Sequence, residues 1–193
     1  MAISAVFWEI AVSADKRFKA CRPGDEMKND PLFDGIVDRL NFTGLASSNS
    51  IRGCSEKEIA VLEKHFEIIF PRSYREFLKY FGRRAGQLFE GTDCFYEQLW
   101  DLRNWAEDLI LENGLAFRVP RDAFVFSMHQ GYEFLYIPTD AGDDPPVYQY
   151  VEDQGLPRLT WRSFTEFLLV SVEQHEKMIT RGLSEKANGR RSV

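Results

Sequence analysis

The chain has 193 residues, 44% hydrophobic and 28% charged, with a formal net charge of −6. A chain of that size and composition fits one globular domain, buries roughly 70% of its unfolded surface and needs no disulfide staples. The acidic balance argues against a nucleic-acid binder, which carries a basic patch or stripe.

The charge is uneven. Residues 85–157 hold three Lys+Arg against fourteen Asp+Glu, and from Asp122 to Pro157 there is no Lys or Arg at all. Such a stretch is a solvated acidic face or an electrostatic landing site for a basic partner, because a field of one sign steers association. Cys21, Cys54 and Cys94 are odd in number and form no C-x-x-C, which points to a reduced, cytoplasmic protein. The start MAISAVFWEIAV lacks a basic n-region and is broken by Glu9, so it reads as a strand or a loosely attached segment rather than a signal peptide. It is also too short to span a bilayer.

In chain order, residues 1–45 read as an N-terminal extension of uncertain structure, with turn signals at Pro23-Gly24 and Pro31 and a short helix in LFDGIVDRLNF. The compact domain covers about 46–180. Ser55 and Glu58 form an S-x-x-E capping box, and Ile59, Leu62, Phe66 and Ile69 follow at helical spacing. Pro71 stops this helix and opens the next. There Ser73 and Glu76 suggest a second box, Tyr74, Phe77, Leu78 and Phe81 make one apolar stripe, and Gly82 suits the end. A helix is predicted over about 95–113, with Leu99, Leu102, Ala106 and Leu109 or Ile110 inward.

The period then changes, and the chain becomes rich in strand formers. Residues 123–128 and 132–137 predict antiparallel strands joined tightly across HQG. VYQYV predicts a third strand, with Tyr148 and Tyr150 on one face, and RLTW a short fourth. Ser163 and Glu166 give a third capping box, opening a helix with Phe164, Phe167, Leu168, Ser171, His175 and Met178 on one side. Residues 181–193 read as a basic, disordered tail. Helices, then strands, then one helix imply an α+β fold: an antiparallel sheet of about four or more strands packed against helices on one face.

Signatures of catalysis are weak. His65, His129 and His175 sit on separate elements and the cysteines lack finger spacing, so no metal site and no cofactor is predicted. No G-x-S-x-G elbow, G-x-G-x-x-G or P-loop occurs. Cys94 reads as a structural thiol. Asp143-Asp144 and Glu152-Asp153 flank the third strand about 20 Å apart, beyond the roughly 5–9.5 Å of a glycosidase pair. In MHQGY, a turn role for His129 and Gln130 outweighs a proton carrier. Arg72, Arg75, Lys79 and Arg83 point away from the aromatic stripe, which is ordinary amphipathicity.

The segment SEKEIAVLEKHFEIIFPRSYREFL resembles the signature of the SUKH superfamily, named for fungal cell-wall-assembly and killer-toxin-resistance proteins and their bacterial relatives. The matching residues are Ser55, Ile59, Leu62, Glu63, Phe70, Pro71, Tyr74, Phe77 and Leu78. SFTEFL, with Ser163, Phe164, Phe167 and Leu168, is similar to the family's closing helix. HQGY (His129, Gln130, Gly131, Tyr132) and DPPVYQY (with Pro145 and Pro146) are similar to motifs of one bacterial branch. The resemblance implies a non-catalytic α+β domain that binds a protein. The expected role is an immunity protein neutralising a nuclease or deaminase toxin; the alternative is a regulatory or scaffold protein of the cell-wall-regulator kind. No nucleic-acid or membrane partner is expected, and the oligomeric state is open. The candidate contacts for a basic toxin are Glu133, Asp140, Asp143, Asp144, Glu152 and Asp153. The motif residues are expected to be structural.

Overall fold

A computed structural model describes residues 30–47 and 49–189, with side chains described to Arg181. The apolar MAISAVFWEIAV segment and Cys21 lie outside the described residues. Asp30 accepts a hydrogen bond from the Leu32 amide at 3.0 Å and so caps α1 (Pro31–Phe42), with Pro31 at its first position. Its stripe of Phe33, Ile36 and Leu40 is buried. Phe33 meets Tyr80 and Phe81 at 5.3 and 6.4 Å, and Arg39 pairs with Glu176 of the last helix at 2.7 Å. The residues from Pro31 to Leu45 therefore pack into the main core, although the sequence sets them apart as an extension.

A two-residue strand β1 (Ile51–Arg52) precedes α2 (Glu56–Phe66). The Ser55–Glu58 capping box forms as the sequence predicts. Glu67 ends α2 in a left-handed conformation, φ 56°, and α3 (Arg72–Phe81) starts at Pro71. The second predicted box does not form: Ser73 lies inside the first turn and no side chain caps α3. Tyr74, Phe77, Leu78 and Phe81 are buried. β2 (Arg84–Ala85) pairs with β1.

The main sheet has five antiparallel strands in sequence order: β3 (Thr92–Asp93), β4 (Ala123–His129), β5 (Glu133–Pro138), β6 (Val147–Val151) and β7 (Arg158–Trp161). This is the predicted α+β architecture. α4 (Leu102–Glu112) is shorter than the predicted 95–113, because residues 95–101 form turns in which Gln98 Oε1 accepts the Phe95 amide at 2.9 Å. The predicted inward residues of α4 are buried nonetheless.

Phe124 and Phe126 of β4 meet Tyr74 of α3 at 5.5 and 5.8 Å, and Phe126 meets Phe164 and Phe167 of α5 (Phe164–Gly189) at 5.3 and 5.4 Å. Edge-to-face and tilted pairs of this kind dominate the core and add stability beyond burial. Tyr136 stacks on Tyr148 at 5.1 Å and Phe134 on Tyr150 at 5.0 Å, so Tyr148 and Tyr150 share a face as the alternation predicts. In α5, Phe164, Phe167, Leu168 and Ser171 are buried, but Met178 is 58% exposed, while Ile179, one position on, packs against the core. α5 continues to Gly189 through residues read as a disordered tail; Glu, Lys and Ala there carry helix propensity.

Candidate partner-binding surface

The antiparallel ladder decides where the six candidate acids go. Glu133 starts β5, opposite Val151 of β6, so Glu133, Glu152 and Asp153 gather at the hairpin end of the sheet. Asp140, Asp143 and Asp144 lie in the β5–β6 loop at the other end, roughly 17 Å away along β5. The fold does not bring the six together on one patch.

Several of the acids hold the fold. Asp144 Oδ1 accepts the Thr165 amide at 2.9 Å, alongside Ser163 Oγ, which accepts the Glu166 amide at 3.0 Å. The start of α5 is thus capped from two places, and the carboxylate also complements the helix dipole. The Glu166 carboxylate reaches back to the Arg162 amide at 2.7 Å. The Asp143 carbonyl accepts the Ser73 amide at 2.9 Å, so the Asp-Asp-Pro-Pro loop satisfies a first-turn amide of α3 that has no side-chain cap. Pro145 is buried beneath this loop and Pro146 half-buried. Glu133 accepts from Gln149 Nε2 at 3.0 Å, and Glu152 from Asn113 Nδ2 at 3.3 Å. The carboxylates of Asp140, Asp143 and Asp153 are exposed and have no partner among the described residues.

HQGY is a turn built for the hairpin. Gln130 and Gly131 have φ of 47° and 79°, the twist that joins two antiparallel strands tightly. His129 Nδ1 lies 2.9 Å from Thr92 Oγ1 and ties β3 to β4, while the Tyr132 ring packs edge-on to it at 5.6 Å.

Three basic residues on and just after α3 are occupied. Arg75 bridges Glu56 and Glu63, both at 2.6 Å, and Lys79 bridges Glu56 at 2.9 Å and Glu76 at 3.0 Å. Arg83 pairs with Glu58 and Glu97 and lies over the Tyr96 ring at 4.3 Å. Glu63 also accepts the Phe70 amide at 2.9 Å, fixing the bend before Pro71. The Ser55 backbone amide, then Arg83, hold the Glu58 carboxyl down at about 2. Sequence spacing shows these cations pointing outward but not the acids that neutralise them. Glu63 joins α2 to α3.

Chemistry is sparse. Cys54 and Cys94 are free and buried, and burial pushes the Cys54 thiol up to about 12 and that of Cys94 higher still, so neither is a ready nucleophile at neutral pH. Among the described residues no group of three or more His, Cys, Asp or Glu is placed to hold a metal, and no helix is long and apolar enough to cross a membrane.

Compared with protein families, residues 56–168 match the model of SUKH_6, described as SMI1-KNR4 cell-wall. The chain belongs to the SUKH family. The match begins at the first residue of α2 and ends in α5, so it takes in the helical hairpin, α4 and the whole sheet. In this SUKH chain α1 lies before the matched residues yet contributes Phe33, Ile36 and Leu40 to the same core. Family membership supports a non-catalytic domain that works through protein partners. No curated protein matches the chain.

Proposed function

We propose that this SUKH protein is a non-catalytic, cytoplasmic immunity protein that neutralises a basic toxin, of nuclease or deaminase type, through its acidic loops. One observation carries the reading. Asp140, Asp143 and Asp153 project unpaired from a stretch without Lys or Arg, while the Arg and Lys side chains of α3 that face α2 are tied into ion pairs. Enzymes that grip phosphate backbones are basic, and unpaired surface carboxylates supply the complementary field. Asp144, Glu133 and Glu152 support the loops that present these three. The free, buried thiols are consistent with a reducing compartment.

The test is capture from the native cell with wild-type protein and with an Asp140→Lys/Asp143→Lys double variant, followed by rescue of cells from the captured toxin. Wild type should retain the toxin and rescue growth, and the double variant should associate more slowly, by a margin that shrinks as salt rises. Equal association rates at low salt would sink the assignment. The cell-wall description of the matching family favours a second reading, a regulatory interaction protein of that kind. Capture of a cell-wall regulator, with no toxin rescued, would select it.

A further inference from the structure

The helix α4 carries charge against its own stability. Glu107, Asp108 and Glu112 all fall in its second half, and its last turn holds no basic residue. The carbonyl end of a helix dipole favours cations, and two acids four positions apart repel each other. Glu107 is tied to Arg103 at 3.3 Å. Asp108 and Glu112 are exposed and their carboxylates have no partner among the described residues. Asp101 stands at the N-cap position but makes no side-chain capping bond, and its carboxylate is equally free.

These acids surround exposed apolar side chains. At 3.6 residues per turn, Asp101, Trp105, Asp108 and Glu112 share one side of α4, with Leu111 beside them, turned away from the buried Leu102, Ala106, Leu109 and Ile110. Trp105 is 40% exposed and Leu111 63%, and the Trp105 indole N–H has no hydrogen-bond partner among the described residues. From Asp101 to Glu112 the stripe runs about 16 Å. Asn113, just past the helix, donates from Nδ2 to the Glu152 carboxylate at 3.3 Å, so Glu152 and Asp153 lie at the end of the same helix.

We propose that the outer face of α4 is a docking surface for a basic protein, with Trp105 seated in an apolar pocket of that partner and Asp101, Asp108 and Glu112 meeting Lys or Arg around it. Tryptophan is enriched among the residues that carry binding energy, and unpaired charge around it steers the partner in. The sign of the charge sets the occupant. A second copy of this chain would place acid against acid across a two-fold contact, so the partner is a different protein. The helix selects the same sign of partner as the acidic loops, yet it stands on its own residues and does not require that partner to be a toxin.

The experiment pans a phage-displayed library of random dodecapeptides on the full chain. Enriched peptides should carry Lys or Arg beside a large apolar residue, and a synthetic copy should shift the tryptophan emission of the protein to the blue. Trp105→Ala and an Asp108→Lys/Glu112→Lys double variant should each weaken that peptide by about tenfold or more. The double variant creates no cavity and removes the repulsion at the end of α4, so its melting temperature should rise by about 1–3 °C while binding falls. Asp140→Lys/Asp143→Lys should bind the peptide as wild type does, which separates this surface from the loops. No enrichment, enrichment without a basic residue, equal binding by either α4 variant, or a lowered melting temperature of the double variant would each overturn the proposal. Loss of the peptide in the loop variant would move the site to the loops and overturn it too.

Discussion

The α2–α3 hairpin and the strands from β4 to β6 spend their charges in opposite ways. In the hairpin, Arg75, Lys79 and Arg83 are each held by two carboxylates, and the aromatic side chains beneath them are buried. In the strand region, acids outnumber bases heavily and Asp140, Asp143 and Asp153 stay unpaired at the surface. A neutralised surface over a dense core is a device for stability, whereas unpaired charge on loops contributes little to folding and acts at long range on a partner. The hairpin should therefore respond to substitution by unfolding, and the loops by losing association.

The largest expected effect tests the core that the hairpin shares with the sheet. Phe164 is fully buried against Tyr74, Phe77 and Phe126, and Phe164→Ala should cost about 3–5 kcal/mol in urea unfolding. A loss below about 1 kcal/mol would mean that the aromatic cluster is not the centre of the fold. Next is Glu63→Ala, which strips the Phe70 amide and Arg75 of their shared acceptor. It should lower stability by about 1.5–3 kcal/mol without altering partner association rates.

The loops sharpen the contrast because two adjacent acids should behave differently. Asp144→Ala removes a cap from α5 and should cost about 1 kcal/mol in the same unfolding assay. Asp143→Lys, which keeps the carbonyl that serves Ser73, should change stability by less than about 0.5 kcal/mol yet slow association with a basic partner at low salt. If both variants act alike on stability, the division between capping and presenting acids is wrong.

The smallest effect is a pH dependence in the hairpin. The Glu58 carboxyl sits at about 2 in the fold against an ordinary 4.5. A depressed value stabilises the folded state above the unfolded pKa, so the contribution is present above pH 4.5 and is lost as pH falls from 4.5 through about 2. Partial exposure, 29% of the Glu58 side chain, screens and shrinks it. Glu58→Gln should flatten the stability–pH slope in that window, measured by urea titrations at stepped pH; an unchanged slope would assign it to other carboxylates.

Ser55, Glu58 and Pro71 announce α2 and its bend, the apolar spacing announces the buried stripe of α3, and the strand formers broken at HQG announce two strands, with alternation in VYQYV putting Tyr148 and Tyr150 on one face of a third. These are short-range facts, set by capping, backbone angles and periodicity within a few residues. Ser73 misled because a capping box is defined by where the helix begins, and Asp143, 70 positions away in sequence, takes over its amide. Met178 follows the predicted stripe of α5 in spacing but is exposed, because the face turned to the core there carries Ile179 instead. The short helix in residues 32–42 is legible from its pattern, but its place in the core is not, since Tyr80, Phe81 and Glu176 receive it from far along the chain.

The sequence by itself determined the helical hairpin, the strands β4 to β7, their order and the family, because those depend on local propensity and pattern; the two-residue strands β1 to β3 left no such signal. It also determined that residues 122–157 carry acid without base. Tertiary structure alone decided which carboxylates cap helices and which stand free, and that the helix Pro31–Phe42 joins the core of the domain. Each of those outcomes depends on strand register and on contacts between residues far apart in the chain, which composition and spacing do not encode.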